Sequence, residues 1–250
     1  QCIASSFAAR GQKVPFLGLY GACSTMAESL VLAAMAIDGG FASLTASVAS
    51  SHFCSAERQY RTPLEYGGQR TPTAQWTVTG SGAVVLSQDG EGPWITHATI
   101  GRVVDKGVKD ANNMGAAMAP AAYDTLTAHF ADTGRRPSDY DLIVTGDLGS
   151  LGLELLQDLF HMDGVEFSNL DDCGVRIYDA QSQDVHCGGS GCGCSAAVLT
   201  GQLLPRMREG RCRRLLFCGT GALLSPTSTM QGESIPGICH AVAFSALKGG

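Results

Sequence analysis

Apolar residues along this chain follow strand-like and helix-like patterns in turn. Short apolar or alternating stretches bounded by Gly or polar residues predict strands over 14–20, 44–50, 76–87, 94–104, 141–145, 214–218 and 238–244. Apolar residues at helical spacing predict helices over 25–38, 114–130, 151–160 and 194–208. The first of these helices is expected to stop at Gly39-Gly40. This alternation predicts an α/β protein whose mostly parallel sheet is covered on both faces.

Two further segments are expected to be irregular. Residues 51–75 are polar and contain Gly67-Gly68 and two prolines, which predicts a long loop over a site or an interface. Gly219-Thr220-Gly221 follows an apolar stretch and predicts a tight turn.

Composition narrows the class of protein. The chain has 250 residues, of which 44% are hydrophobic and 16% charged, enough for one large core or two closely packed halves. The net charge is −6 and no basic cluster is interleaved with aromatic residues, so nucleic acid is not an expected partner. Arginines concentrate only at 206–214, which is either a solvated helix end and loop or a site for an anionic membrane surface or partner.

Targeting and redox signals are few. The longest apolar run, 30–37, is too short to span a bilayer, and no secretory signal pattern is present. The ten scattered cysteines are therefore expected to be reduced and cytosolic. Because the sequence opens with Gln1 in the middle of a helix–strand pattern, we expect it to be a fragment that lacks its N-terminal part.

The strongest chemical motif is GACSTM at 21–26, between a predicted strand and a predicted helix. A cysteine at a helix N-terminus is expected to have a lowered thiol pKa, and the free N–H groups there can bind an anion. Cys23 is thus a candidate nucleophile, with Ser24 and Thr25 beside it in the same candidate site. The alternative is that Cys23 is a small buried apolar residue that happens to precede a helix.

A second motif is the glycine-rich stretch DVHCGGSGCGCSAA at 184–197. It lets a backbone approach a ligand closely, but it lacks the Gly-Lys-Ser/Thr of a P-loop and the leading strand of a dinucleotide fingerprint. Candidate ligand-binding residues here are His186, Ser190, Cys194 and Ser195. The cysteine spacing lacks the paired C-x-x-C of structural zinc sites, so we expect close helix–sheet packing and no metal.

A third motif is VTGDLGS at 144–150, at the end of a predicted strand, where ligands bind in α/β sheets. Asp147 could be a ligand or general-base carboxylate, or it could cap the helix that starts near 151. Five other histidines are isolated and more typical of structural roles, with His52 beside Cys54 the best exception; they are His52, His97, His129, His161 and His240.

These segments together resemble the thiolase and ketoacyl-synthase superfamily. Within it, the closer resemblance is to the stage V sporulation protein AD family of spore-forming bacteria, carried by PFLGLYGACST at 15–25, DDCGVRIYD at 171–179 and the loop at 186–195. The resemblance implies a layered αβαβα fold of two similar halves, with the N-terminal part missing from this chain. Residues 1–90 would be the remainder of the N-terminal half carrying Cys23, and 91–250 the C-terminal half.

Carried over to this sequence, the resemblance puts Cys23 at the nucleophile position and makes Cys218 similar to the acid–base cysteine of thiolases. The catalytic partners differ, however. Asp147 stands where ketoacyl synthases have a histidine, Gly193 where they have an asparagine, and Ser190 where thiolases have their loop histidine. A Claisen-type step needs a base and neutral oxyanion donors, and a carboxylate at 147 would repel a developing oxyanion. We therefore expect an incomplete catalytic set.

The resemblance further implies a non-catalytic protein that binds dipicolinic acid, free or with calcium, and helps its uptake into the developing spore. It implies no cofactor, partners in the stage V sporulation membrane transport complex, and a place on the cytoplasmic side or spore interior beside the inner spore membrane. A homodimer with 44–50 as an interface edge is expected. Arg61 or Arg70 could bind the ligand's carboxylates. The alternatives are an acyltransferase that uses Cys23 with Cys218 and a histidine such as His52 or His186, and a structural subunit that binds no small molecule.

Overall fold

A computed structural model of the chain describes residues 2–60 and 70–249. Its helices are α1 Cys2–Ala9, α2 Thr25–Asp38, α3 Phe53–Tyr60, α4 Met114–Thr133, α5 Gly149–Met162, α6 Cys173–Arg176, α7 Cys192–Val198, α8 Leu204–Arg208 and α9 Pro226–Met230. Its strands are β1 Leu44–Ser51, β2 Trp76–Thr77, β3 Gly80–Ser87, β4 Trp94–Ile100, β5 Leu142–Thr145, β6 Leu170–Asp172, β7 Gly189–Ser190, β8 Arg214–Ala222 and β9 Gly237–Ser245. Strands and helices alternate along much of the chain, as the apolar pattern predicts.

The main sheet has five strands in the order β4-β9-β8-β5-β6. β5 pairs in parallel with both β6 and β8, while β9 is antiparallel to β8 and β4. The expectation of a mostly parallel sheet is therefore wrong, because β9 returns antiparallel beside β8 and also pairs antiparallel with β4. The carboxyl end of β5 lies beside β8, with Thr145 opposite Cys218, and β8 continues beyond it to Ala222.

Alternate residues of β8 enter two separate apolar cores. Phe217 packs with Met26 and Leu30 of α2 on one face of the sheet. Leu216 packs with Leu126 of α4 and Leu156 of α5 on the other. Side chains of successive strand residues point to opposite faces, so both faces of the sheet are covered by helices, as expected.

A second sheet consists of β1 and β3, paired antiparallel with Ser47 opposite Val84. α7 packs closely against β3 at Gly82, where an added Cβ would lie 2.4 Å from the Ala196 carbonyl oxygen. Val85 is 64% exposed on the other face of this sheet. The division into residues 1–90 and 91–250 stays a prediction.

The structure corrects several predicted elements. Residues 14–20 are not a strand and belong to no sheet or helix, with Leu17 79% exposed. The predicted loop at 51–75 contains α3, and its 61–69 part, with Arg61 and Gly67-Gly68, lies outside the described residues. The predicted turn at 219–221 continues β8, because all three residues pair with β9.

Several other elements differ in their bounds, and the strand predicted over 94–104 ends at Ile100. The strand predicted over 76–87 is interrupted between β2 and β3. The helix predicted over 194–208 begins earlier, at Cys192, and contains a wider π-helical turn over Leu199–Leu203 between α7 and α8. By contrast, the helix over 25–38 has the predicted bounds.

Candidate functional site

Cys23 lies in a single 3₁₀ turn, Ala22–Ser24, that leads into α2. Ser24 donates its hydroxyl to the Gly21 carbonyl at 2.6 Å, and Thr25 donates to the Ala22 carbonyl at 2.7 Å. These two side chains therefore hold the turn closed. Both hydroxyl groups, which were expected to bind a ligand, donate instead to backbone carbonyls of the protein.

The Cys23 turn rests on the end of β8, and glycine makes this approach possible. A Cβ at Gly221 would lie 2.6 Å from the Gly21 carbonyl oxygen, and one at Gly219 would lie 2.5 Å from the Ala27 Cβ. Side chains at either position would push the turn away from the sheet. Gly219 and Gly221, which suggested a turn in the sequence, instead allow the Cys23 turn to pack closely against β8.

Asp147 lies directly beyond the end of β5 and is fully buried. Its Oδ1 accepts the Thr220 hydroxyl at 2.9 Å. Its Oδ2 accepts the Gly191 N–H at 2.8 Å and the Ser190 hydroxyl at 3.2 Å. One carboxylate therefore joins the ends of β5 and β8 to the glycine-rich loop.

The interpretation of Asp147 as the cap of the following helix is wrong. α5 begins at Gly149, and the carboxylate that accepts its first N–H groups belongs to Asp172, at 2.8 Å from Leu148 N and 3.0 Å from Gly149 N. Asp172 also accepts the Val175 N–H and so caps α6. Asp147 therefore binds the glycine-rich loop, whereas Asp172 caps the helices.

The glycine-rich loop is ordered by a short parallel pairing of β7 with β2. Gln75, which precedes β2 and is 2% exposed, donates its amide to the Asp147 carbonyl at 2.8 Å and to the Gly189 carbonyl at 2.9 Å. The loop then turns at Gly191, whose φ of 104° favours glycine. The backbone of the loop is thus fixed at the site.

The thiol of Cys23 lies beside the Asp147 carboxylate and the Ser190 hydroxyl. Although part of the Cys23 residue reaches the surface, its surroundings desolvate the thiol, and this burial together with the Asp147 charge raises its pKa well above the ordinary value. The expectation of a lowered pKa is therefore wrong. The partial charge of a helix end is outweighed by desolvation and by a neighbouring carboxylate.

Other acidic groups at the site are also shifted towards their neutral forms. Burial raises the pKa of Asp147, against the opposing effect of its hydrogen-bond donors. Burial and the Asp147 charge raise the pKa of Asp172 to about 6. The thiol of Cys192 has its pKa raised first by burial and then by Asp147.

The remaining predicted residues of the glycine-rich loop have other surroundings. Ser195 is buried in α7 and donates to the Cys192 carbonyl at 3.3 Å. Cys194 is buried, and burial followed by the neighbouring Cys173 raises its thiol pKa. His186 has a positive φ of 49°, and its Nε2 lies 3.8 Å from Asp184. The structure therefore brings together Cys23, Asp147 and Ser190.

Cys218, proposed as a catalytic partner of Cys23, and His129, one of the isolated histidines expected to be structural, are both buried. Cys218 is buried in β8 with the Cys239 thiol as its hydrogen-bonding neighbour. His129 is buried between Tyr140, at 2.7 Å, and Thr99, at 2.8 Å, and desolvation lowers its pKa to about 4. These contacts are structural.

A group of flat side chains, here called the wall, lies on and near β2, the strand that pairs with β7 of the glycine-rich loop. The rings of Phe53 and Trp76 stack with centroids 5.6 Å apart, and the Arg70 guanidinium lies 3.8 Å from the Trp76 centroid. Arg70 also donates to the Gln75 carbonyl at 3.1 Å. Gln75 in turn donates to the Asp147 carbonyl. This one residue therefore connects the wall to the buried floor of the site, which contains Asp147 and Asp172.

Sequence reasoning missed Asp172, Gln75 and Thr220 as parts of the site. An Asp directly before the short helix at 173 is a capping signal that could have singled out Asp172. Nothing local distinguishes Gln75 or Thr220, since their partners are 72 and 73 residues away in the chain.

Within residues 2–60 and 70–249, no helix is both long and apolar enough to cross a membrane. In the same part of the chain, no group of three or more His, Cys, Asp or Glu residues could hold a metal ion.

Comparison with solved structures shows the fold. The chain matches the 3-oxoacyl-[acyl-carrier-protein] synthase III from Aquifex aeolicus VF5 with a TM-score of 0.59 and 12% identity, over 98% of this chain and 71% of that one. It matches the priming β-ketosynthase of the R1128 polyketide pathway with a TM-score of 0.60 and 15% identity, over 97% and 70% of the two chains. The thiolase-like α/β fold predicted from the sequence is thereby confirmed.

Comparison of sequences shows the family. The chain is 48% identical over 250 residues to stage V sporulation protein AD from Bacillus subtilis (strain 168), which covers 100% of this chain and 74% of the relative. The family model for stage V sporulation protein AD matches residues 1–245. The chain therefore belongs to the stage V sporulation protein AD family.

Proposed function

We propose that this protein is a non-catalytic binding protein for dipicolinic acid that takes part in dipicolinate uptake into the developing spore. One observation carries the non-catalytic part: the thiol of Cys23 faces the buried Asp147 carboxylate, whose oxygens accept three hydrogen bonds. A Claisen-type step needs the thiolate and a neutral donor at the developing oxyanion. Here the carboxylate both disfavours the thiolate and would repel the oxyanion.

The ligand assignment follows from the family and is supported by the chemistry of the wall. Dipicolinate is a flat aromatic dicarboxylate. A planar guanidinium over Trp76 offers both a stacking surface and a charge-assisted donor for such a molecule. The floor, by contrast, contains the carboxylates of Asp147 and Asp172, so we expect the ligand's carboxylates at Arg70 rather than against the floor.

A melting experiment tests the binding. A ligand at about 100 times its Kd that binds only the folded protein stabilises it by about 2.7 kcal/mol. For a chain of this size that corresponds to a rise in Tm of about 5–10 °C. We expect this rise with dipicolinate, and titration with and without calcium identifies the form that binds. No rise at saturating ligand in either series would instead support a purely structural subunit.

Substitution of Arg70 tests where the carboxylates bind. Arg70→Gln removes the charge and is expected to weaken binding about 10-fold or more, as expected for loss of a charge-assisted hydrogen bond. Arg70→Lys keeps the charge and should restore part of the affinity. Arg208→Gln, an exposed arginine of α8, is the matched control and should bind like the wild type. Equal affinities for all four proteins would exclude Arg70 from the site.

Incubation with acyl-CoA substrates tests the absence of catalysis. We expect mass spectrometry to find no acyl group on Cys23. An acyl adduct on Cys23 followed by product turnover would contradict a binding-only role and would favour an acyltransferase.

We further propose that the protein works with the other proteins of the stage V sporulation membrane transport complex, peripheral to the inner spore membrane on its cytoplasmic side or in the spore interior. A homodimer is also proposed, with β1 at its interface. The exposed apolar side chain of Val48, 60% accessible on this strand, supports the second proposal. Sedimentation of the purified protein, compared with that of Val48→Lys, tests it.

A further inference from the structure

Basic side chains gather at the end of the main sheet opposite Cys23. β5 and β8 run parallel, and the site lies beyond Thr145 at the carboxyl end of β5 and beside Thr220 in the last part of β8. Arg214 begins β8, about 20 Å away at the ~3.3 Å rise of a strand residue. We call this end the arginine edge; it consists of Arg206, Arg208, Arg213, Arg214 and Lys248.

Backbone contacts hold these residues in one surface. The Ala246 N–H donates to the Arg213 carbonyl at 2.8 Å, which sets the end of β9 beside the start of β8. The Arg211 N–H donates to the Arg206 carbonyl at 2.9 Å and closes the turn after α8. Lys248, which follows β9, places its Nζ 4.6 Å from the centroid of the Trp94 ring on the edge strand β4. Three elements thus contribute charge to one edge.

Much of this charge is not neutralised within the protein. Two acids lie nearby: Glu209, which follows Arg208, pairs with Arg211, and Asp141 accepts the backbone N–H groups of Arg213 and Arg214 rather than their guanidinium groups. In the described part of the chain, neither of these arginines nor Arg208 forms an ion pair, and the Nε of Arg206 is buried without a hydrogen-bond partner. In a chain of net charge −6, the arginine edge is a local reversal of sign.

Apolar side chains lie among these charges. Leu247 is 71% exposed next to Lys248, and Trp94 lies under the Lys248 ammonium. Basic groups beside an exposed leucine and a tryptophan suit the boundary between lipid headgroups and acyl chains. An acidic peptide would need carboxylates at matching positions, whereas anionic headgroups bind arginines at any spacing.

We propose that the arginine edge binds the anionic headgroups of a membrane surface, so that the Cys23 site faces away from the bilayer. This inference rests on the proposal that the protein works beside a membrane, and it adds the surface, the lipid chemistry and the orientation. It is independent of which small molecule the Cys23 site binds.

Co-sedimentation of the purified protein with vesicles tests the proposal. We expect binding to vesicles that contain phosphatidylglycerol and none to vesicles of phosphatidylcholine alone. Each basic residue near an anionic surface contributes about fivefold in binding, so Arg213→Gln/Arg214→Gln should weaken it about 30-fold. The matched control is Lys106→Gln/Lys109→Gln, which removes the same charge from exposed residues near Gly237, at the other end of β9.

Salt dependence of the wild type gives a second measurement that does not depend on the folding of a variant. Raising the ionic strength from about 0.01 M to about 0.15 M shortens the Debye length from roughly 30 Å to roughly 8 Å and should release the protein. The proposal is overturned if anionic vesicles do not bind at low salt, if both double variants bind alike, or if an acidic peptide binds the edge and vesicles do not. Dipicolinate titration of the same preparations shows separately whether the small-molecule site is intact.

Discussion

Removal of the Asp147 carboxylate should loosen the whole site, because three donors depend on it. Asp147→Ala leaves the Gly191 N–H and the hydroxyls of Ser190 and Thr220 without their acceptor. Asp147→Asn keeps the shape but replaces one acceptor oxygen by an amide donor. The Gly191 N–H cannot rotate, so the asparagine oxygen must face it, and the amide group then faces Thr220.

The magnitude follows from these contacts. A buried N–H without an acceptor costs about 1–3 kcal/mol, and a lost hydrogen bond costs about 1 kcal/mol. With two hydroxyls affected as well, we expect Asp147→Ala to lower the free energy of unfolding by about 3–5 kcal/mol. Asp147→Asn loses one bond to a charged group, about 1.5–3 kcal/mol, partly offset because a buried charge is removed.

Urea unfolding at neutral pH, followed by circular dichroism, measures these differences. Asp105→Ala is the control, because Asp105 is an exposed carboxylate that binds Ser234 and the Gly107 N–H. We expect Asp105→Ala to lower the free energy of unfolding by less than about 1 kcal/mol. If Asp147→Ala and Asp105→Ala were equally stable, the carboxylate would not be what holds the loop to the strands.

Three further predictions concern stability and reactivity. Because the pKa of Asp172 is raised from 3.8 to about 6 in the folded protein, the free energy of unfolding should fall as pH rises from about 4 to about 6. Asp172→Asn should remove that part of the slope in urea titrations at a series of pH values; an unchanged slope would contradict the assignment. Iodoacetamide near neutral pH should alkylate the exposed Cys54 well before Cys23, as read by mass spectrometry, and the reverse order would mean that Cys23 is activated. Gly152→Ala should lower the free energy of unfolding by about 1–3 kcal/mol, because its Cβ would lie 2.8 Å from the Gly115 Cα. Gly201→Ala is the control, since its Cβ meets nothing within 4 Å and should not destabilise the protein. Equal melting temperatures of the two variants would refute this prediction.

Elements with a strong local pattern could be predicted from the sequence, and those fixed by distant partners could not. The apolar spacing of 25–38 and the glycines after it define α2 without help from the rest of the chain. The glycines at 219 and 221 suggest a turn locally, but nine paired positions with β9 keep the strand extended through them. Residues 14–20 are apolar enough for a strand, yet in the described part of the chain no strand pairs with them.

The same distinction applies to the site. The resemblance identified Cys23, Asp147 and Ser190 as counterparts of catalytic positions, and the structure brings these three together. The sequence could not reveal that Asp147 would be saturated by donors from two other segments, nor that desolvation would reverse the expected shift of the Cys23 pKa. Both depend on packing between segments far apart in the chain.

The bonding of Asp147 also limits which side chains this position can accommodate. A neutral histidine ring offers one acceptor nitrogen, so Asp147→His would leave at least two of three donors, the Gly191 N–H and the hydroxyls of Ser190 and Thr220, without an acceptor. Because one carboxylate joins three segments of the chain, a substitution at 147 also changes how β5, β8 and the glycine-rich loop are held together. A different side chain at this position would therefore need compensating changes in the segments that donate to it.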